Sequence, residues 1–274
     1  MIPVERRDAP LILSMPHVGR DIPDPLKPRY SDRALQVEDT DWWIDRLYDF
    51  AAALGATIVR TSVSRYVIDA NRDPTGASLY PGQTTSELCP TTSFDGAPLY
   101  RDGKNPGAVE IAERKRLYHA PYHDALGAEI ARLRRSHGRI VLYDCHSIRG
   151  TIPRLFPGRL PVFNIGSNGG AACDPQVERI VAQVCSAASV EGYSHVVNGR
   201  FKGGWITRYY GAPRSGVHAV QMELAQRAYL KDEAPPWDYA EDKALLLRPV
   251  LTDVLSRLID WAGARPGSPG RRLT

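Results

Sequence analysis

Seven short runs rich in β-branched and aliphatic residues recur along the chain: LILSM from residue 11, ATIVRTSV from 56, YVIDA from 66, RIVLYDCH from 139, LPVFNIG from 160, YSHVVNG from 193 and HAVQMELA from 218. Between several of them the apolar spacing becomes helical, at roughly 41–54, 108–136, 174–190 and 241–262. Parallel strands need long crossovers, which helices supply, so this alternation selects an α/β fold with a mixed, mostly parallel sheet flanked by helices. Asp174 followed by Pro175 has the form of an N-cap with proline at the first helical position. With 274 residues the chain is expected to form a single domain over 1–263, with 264–274 as a flexible tail.

Hydrophobic residues make up 43% of the chain and charged residues 24%, a balance that supports a full core. The net charge of +4 is spread along the chain without a basic stripe, which argues against nucleic acid and favours a small anionic ligand. No run reaches the apolar length of a membrane span, and MIPVERRDAP lacks the apolar centre of a secretion signal. Cys89, Cys145, Cys173 and Cys185 form no C-x-x-C pair and read as reduced core thiols. A cytoplasmic enzyme or binding protein is expected.

In open α/β sheets ligands bind beyond the carboxyl ends of the strands. Four of the runs end in polar residues: His17 after LILSM and Pro16; Asp69, Asn71 and Arg72 in YVIDANRD; Asp144 and His146 in YDCHS; Gln221 and Glu223 in VQMELA. Strand alternation puts Asp144 and His146 on one side, and Gln221 and Glu223 on one side. A buried, unpaired Glu223 would be costly, so it requires a partner, a metal or a raised pKa. Two histidines and one carboxylate satisfy zinc, which takes three protein ligands at catalytic sites and leaves a fourth position to water. Glu38, Asp39, Asp41 and Asp144 are the carboxylates available. Each residue alone also reads as structure: a hydrogen-bonded strand-end histidine, a helix cap in EDTD, a salt bridge for Arg72.

Other features point elsewhere. His119 and His123 have the i, i+4 spacing of a helical metal site, but H-E-x-x-H is absent and Pro121 interrupts the turn, so a surface or supporting role is expected. NIGSNGGAACDP lacks the Lys-Ser/Thr of a phosphate loop and reads as a glycine turn. Ser147 and Cys145 sit in no nucleophile elbow. The Gly-, Pro- and Ser/Thr-rich segment 73–106 is long enough without periodicity to act as a lid.

Six ordered motifs, SMPHVGRDIP, DTDWWIDRLYDF, SRYVIDANR, YDCHSIRG, NGRFKGGWITRYYG and HAVQMELAQRAYL, resemble the N-formylglutamate amidohydrolase family over about residues 10–263. That resemblance implies a zinc-carboxypeptidase-like (phosphorylase/hydrolase-like) fold related to the aspartoacylases, and hydrolysis of N-formyl-L-glutamate to L-glutamate and formate, late in one route of histidine breakdown. It implies one divalent metal, zinc by preference, on His17, Asp41 and His146, with Glu223 as general base. It assigns Asn71 and Arg72 to the substrate α-carboxylate. Relatives of the wider group take two ligands from H-x-x-E, whereas here Arg20 follows His17 at that spacing. For the side-chain carboxylate the chain offers Arg200, Lys202 and Arg208, with Arg65 and Arg149 in reserve. A related zinc amidohydrolase on another N-acyl amino acid, or a non-catalytic binder of acidic metabolites, would use the same residues.

Overall fold

The computed structural model describes residues 2–79, 82, 85–188 and 192–264. Seven strands form one sheet: β1 Val4–Glu5, β2 Leu11–Met15, β3 Thr57–Arg60, β4 Ile140–Ile148, β5 Phe163–Gly166, β6 His195–Val197 and β7 Val217–Ala225. Their spatial order is β1-β3-β2-β4-β7-β5-β6. The four central strands β3, β2, β4 and β7 run parallel. β1 pairs antiparallel with β3, and β5 antiparallel with β7. The mixed sheet expected from the alternation is what forms.

Helices cover both faces: α1 Ile44–Leu47, α2 Ala108–Arg114, α3 Ala120–Ser136, α4 Pro175–Ser186, α5 Trp205–Tyr210 and α6 Glu241–Gly263. One face of the sheet is apolar through its centre, with polar Ser147 and His218 only near strand ends. Leu11, Leu13 and Met15 of β2, Val141, Tyr143 and Cys145 of β4, and Val220, Met222 and Leu224 of β7 pack there with Val177 and Val181 of α4 and Leu247, Leu251 and Leu258 of α6. The opposite face begins apolar, with Ile12, Ile140, Leu142 and Ala219 against Tyr122, Leu126 and Leu133 of α3. Past those residues its alternate positions become Asp144, His146, Gln221 and Glu223, all buried. The polar site therefore occupies the carboxyl-end half of one face, the location an open α/β sheet favours.

The side chain of Asp174 accepts from the Gln176 amide, so α4 starts as its N-cap residue and Pro175 predict. All four cysteines are free and buried. Two local expectations fail. YVIDA is not a strand: residues 64–72 fold as buried turns, with the Val67 amide on the Ser64 carbonyl and the Asn71 amide on the Asp69 carboxylate. The helix expected over 41–54 is reduced to α1 and a 3-10 turn at Asp49–Ala52: the left-handed backbone of Trp43 delays its start to Ile44, and Tyr48, at φ −98° and ψ 14°, interrupts it. β1 went unread because two residues carry no alternation. The helical pattern of 108–136 forms, but Lys115–His119 is a π turn between α2 and α3. Residues 265–274, most of the predicted tail, lie outside the described residues.

Candidate active site

β2 ends at Met15, and Pro16 and His17 follow in a turn whose His17 carbonyl accepts the Asp41 amide at 3.1 Å. That bond ties the DTDWW segment to the strand end and buries Asp41. β4 supplies His146 from the neighbouring strand. The three side chains converge: His17 Nδ1 lies 3.1 Å from His146 Nδ1, and Asp41 Oδ2 lies 2.9 Å from His146 Nδ1 and 3.6 Å from His17 Nδ1. Among the described residues this is the one group of three or more His, Cys, Asp and Glu arranged to hold a metal ion.

The outward nitrogens explain the inward ones. His17 Nε2 sits 2.6 Å from Asp69 Oδ1, and His146 Nε2 sits 3.0 Å from Asp144 Oδ2. A carboxylate on one ring nitrogen fixes the N–H there and turns the other lone pair inward, as metal-binding histidines require. Two imidazole lone pairs and a carboxylate oxygen then face one point, and the second Asp41 oxygen, Oδ1, has no hydrogen-bond donor. This donor set fits a divalent cation of zinc's type.

Burial would raise the Asp41 carboxyl, but His17 and His146 hold it well below the usual carboxylate range. Burial likewise disfavours a charged His146, yet Asp144 and Asp41 push it well above its ordinary value. Surroundings that favour a proton on that lone pair also favour a metal cation there.

Glu223 is the register partner of His146 across β4 and β7, so both side chains leave the same face side by side. Its carboxyl is raised to about 8, chiefly by burial and partly by Asp41, against the lowering effect of His146. Gln221 Nε2 approaches it at 3.3 Å. Both line a cavity shared with His17, Arg65, Asn71, Arg72, His146 and Arg200. Thr85, Ser86 and Phe94, from the segment read as a lid, contribute to the same wall. Arg65 bonds Asp69 Oδ2 at 2.8 Å, lies 3.6 Å from Asp41 Oδ1 and stacks under the Phe94 ring.

Asn71 and Arg72 arrive from the turn after Asp69 rather than from a strand. Asn71 Oδ1 accepts the Ile206 amide, while Nδ2 points at His146 Nε2 and Asp144 Oδ2 at 3.0 and 3.3 Å. A Cβ on Gly204 would strike the Asn71 side chain, which explains the glycine. Arg72 is propped by the Ser86 carbonyl and hydroxyl.

Other sequence candidates fall outside the cavity wall. Arg149 turns to Asp95 at 3.0 Å, and Arg208 donates to the Gly203 carbonyl. Asp39 accepts the Phe94 amide and Glu38 pairs with Arg33, so neither joins the histidines. Arg20 lies over the rings of Trp42 and Trp43 at 5.5 and 4.9 Å. Phe94 carried no sequence signal, because its place depends on a loop contact with Asp39.

Residues 9–230 match the family model described as N-formylglutamate amidohydrolase. The chain is 47% identical over 261 residues to a Pseudomonas aeruginosa protein named N-formylglutamate deformylase, covering 95% of this chain and 97% of that protein. A Pseudomonas putida protein of the same name is 46% identical over 256 residues, covering 93% and 94%. Among solved structures, N-formylglutamate amidohydrolase from Ralstonia eutropha superposes with a TM-score of 0.79 at 20% identity, over 95% of this chain and 98% of that one.

Proposed function

The chain belongs to the N-formylglutamate amidohydrolase family, and from that premise we propose that it hydrolyses N-formyl-L-glutamate to L-glutamate and formate with one bound divalent metal, zinc by preference. The observation that carries this reading is one cavity lined by His17, His146, Glu223 and three arginines. His17, Asp41 and His146 would hold the metal. Once bound, it supplies Lewis acidity to the formyl oxygen and to water.

Glu223 takes the proton of the attacking water and returns it to the departing amine nitrogen, a role suited to a carboxyl whose pKa lies near neutrality. Arg65, beside Asp41, is placed to hold charge developing on the formyl oxygen, worth about 3 kcal/mol for one well-aimed donor. Arg72 meets the α-carboxylate in bidentate fashion, and Arg200 the side-chain carboxylate. Asn71, its Nδ2 donating to Asp144 and its Oδ1 accepting the Ile206 amide, orients rather than grips. Phe94, Leu155 and Phe201 supply the apolar part of the cavity wall. The same reading places the enzyme in the cytoplasm, late in one route of histidine breakdown.

Assaying the zinc-loaded protein on formyl-, acetyl- and succinyl-glutamate side by side tests the proposal. Turnover of the formyl compound above both others is expected; turnover of a larger acyl group with none of formyl would assign the protein to another N-acyl amino acid. A protein that neither binds nor responds to any divalent metal would be a binder.

A further inference from the structure

The histidine pair of the helical metal spacing has found no role in the chemistry above, yet both residues are engaged. His119 Nε2 lies 3.0 Å from the Arg72 carbonyl, and His123 Nε2 lies 2.9 Å from the Ala70 carbonyl. A carbonyl only accepts, so both imidazoles carry their proton on Nε2 and donate it. The two carbonyls bracket Asn71. The carbonyl between them takes the Arg72 guanidinium, and the Trp205 amide lies 3.4 Å away.

The helix is built to present this pair. The Ala120 amide bonds the Lys115 carbonyl, five residues back, so the turn before Pro121 is widened. Pro121 has no N–H to give, and the π turn admits its ring without breaking the helix axis. The result is two imidazoles side by side, centroids 4.3 Å apart, aimed at one loop. Tyr210 of α5 stacks on His123 and bonds its Nδ1 at 3.0 Å. Burial keeps both rings neutral, with His123 pushed down to about 4.

We propose that His119 and His123 are positioning residues, two imidazole donors on one helix that clamp the Ala70 and Arg72 carbonyls and thereby set Asn71 against His146 and Arg72 against the substrate. The clamp rests on the proposed function for the identity of that substrate. Its mechanical part does not, because Asn71 and Arg72 are held whatever the cavity binds.

The test compares His119→Leu and His123→Leu, which remove the donor, with His119→Gln and His123→Gln, whose Nε2 replaces it, in the zinc-loaded full chain. Hydrogen exchange over 69–74 is expected to quicken at least about tenfold in the Leu variants and to return near wild type in the Gln variants. KM for N-formylglutamate should rise about 10- to 100-fold in His119→Leu, with kcat changed less than KM and rescue by His119→Gln. Exchange unchanged in the Leu variants, or Gln variants that behave as the Leu ones, overturns the clamp. If wild type does not turn over N-formylglutamate, the functional reading fails and the exchange comparison still decides. A Leu variant that does not fold leaves its Gln counterpart to decide: wild-type exchange supports the clamp, and Leu-like loss of the fold overturns it.

Discussion

Two pairs of histidines lie ring against tilted ring within this domain at nearly the same distance, 4.8 Å between centroids for His17 and His146 and 4.3 Å for His119 and His123. Their surroundings separate them. The first pair has aspartates on its outer nitrogens and a third aspartate on its inner ones. The second donates to neutral backbone carbonyls and meets a tyrosine hydroxyl. Buried carboxylates suit one pair to a cation, while peptide oxygens suit the other to a mechanical fastening. Proximity of imidazoles alone distinguishes neither, and the i, i+4 spacing belongs to the pair without carboxylates.

The largest expected break in this comparison comes from the ligands themselves. His146→Ala should lose the metal and lower turnover by more than a general base alone supplies, beyond about 10⁴-fold. His119→Leu should keep its full metal content. Metal analysis of both purified variants reads this directly, and an equal loss in the two would erase the distinction.

Next in size is Glu223→Gln, which sits beside the first pair without belonging to it. It should retain metal and lower kcat by about 10² to 10⁴-fold. Near-normal turnover would remove the base assignment.

The sequence made His146 of the first pair and its neighbour Glu223 visible for a reason that the fold explains. His146 and Glu223 lie on strands long enough to alternate, β4 and β7, where parity assigns each residue a face. Their apolar neighbours Cys145, Met222 and Leu224 pack on the other face. Asp41, Arg65 and Asn71 lie in turns, where no periodicity reports direction. Asp41 could be singled out from Glu38, Asp39 and Asp144 only through family resemblance, since EDTD also describes an exposed cap. The supposed strand at 66–70 misled because buried turns can be as apolar as strands; Tyr66, Val67 and Ile68 are all buried there. The work of His119 and His123 was hidden because their acceptors are backbone carbonyls, which no side-chain pattern announces.

A smaller effect separates the aspartates from the tyrosine. Asp144→Asn weakens the fixing of the His146 tautomer and should lower metal affinity about 10- to 100-fold. Tyr210→Phe, the matching change at the second pair, should leave metal affinity unaltered. Competition with a chelator measures both, and a similar loss in Tyr210→Phe would mean that the clamp and the metal site are one unit.

The smallest expected difference is in protons. With its carboxyl raised to about 8, Glu223 is largely protonated at pH 7 in the metal-free protein. A cation on the adjacent His146 favours the carboxylate, so metal binding should expel that proton. His146, held well above its ordinary value by Asp144 and Asp41, should surrender a second one to free its lone pair. Both releases have the same sign: metal affinity rises with pH, and the Glu223 share of the rise levels off above about 8. Calorimetric titration with zinc at pH 7, in buffers of different ionisation enthalpy, counts the protons released. Glu223→Gln should release up to one fewer than wild type, whereas His123→Gln should release the same number, because the second pair is neutral with or without metal. An unchanged count in Glu223→Gln would show that metal binding does not change the charge of that carboxyl, and would overturn the release assigned to it.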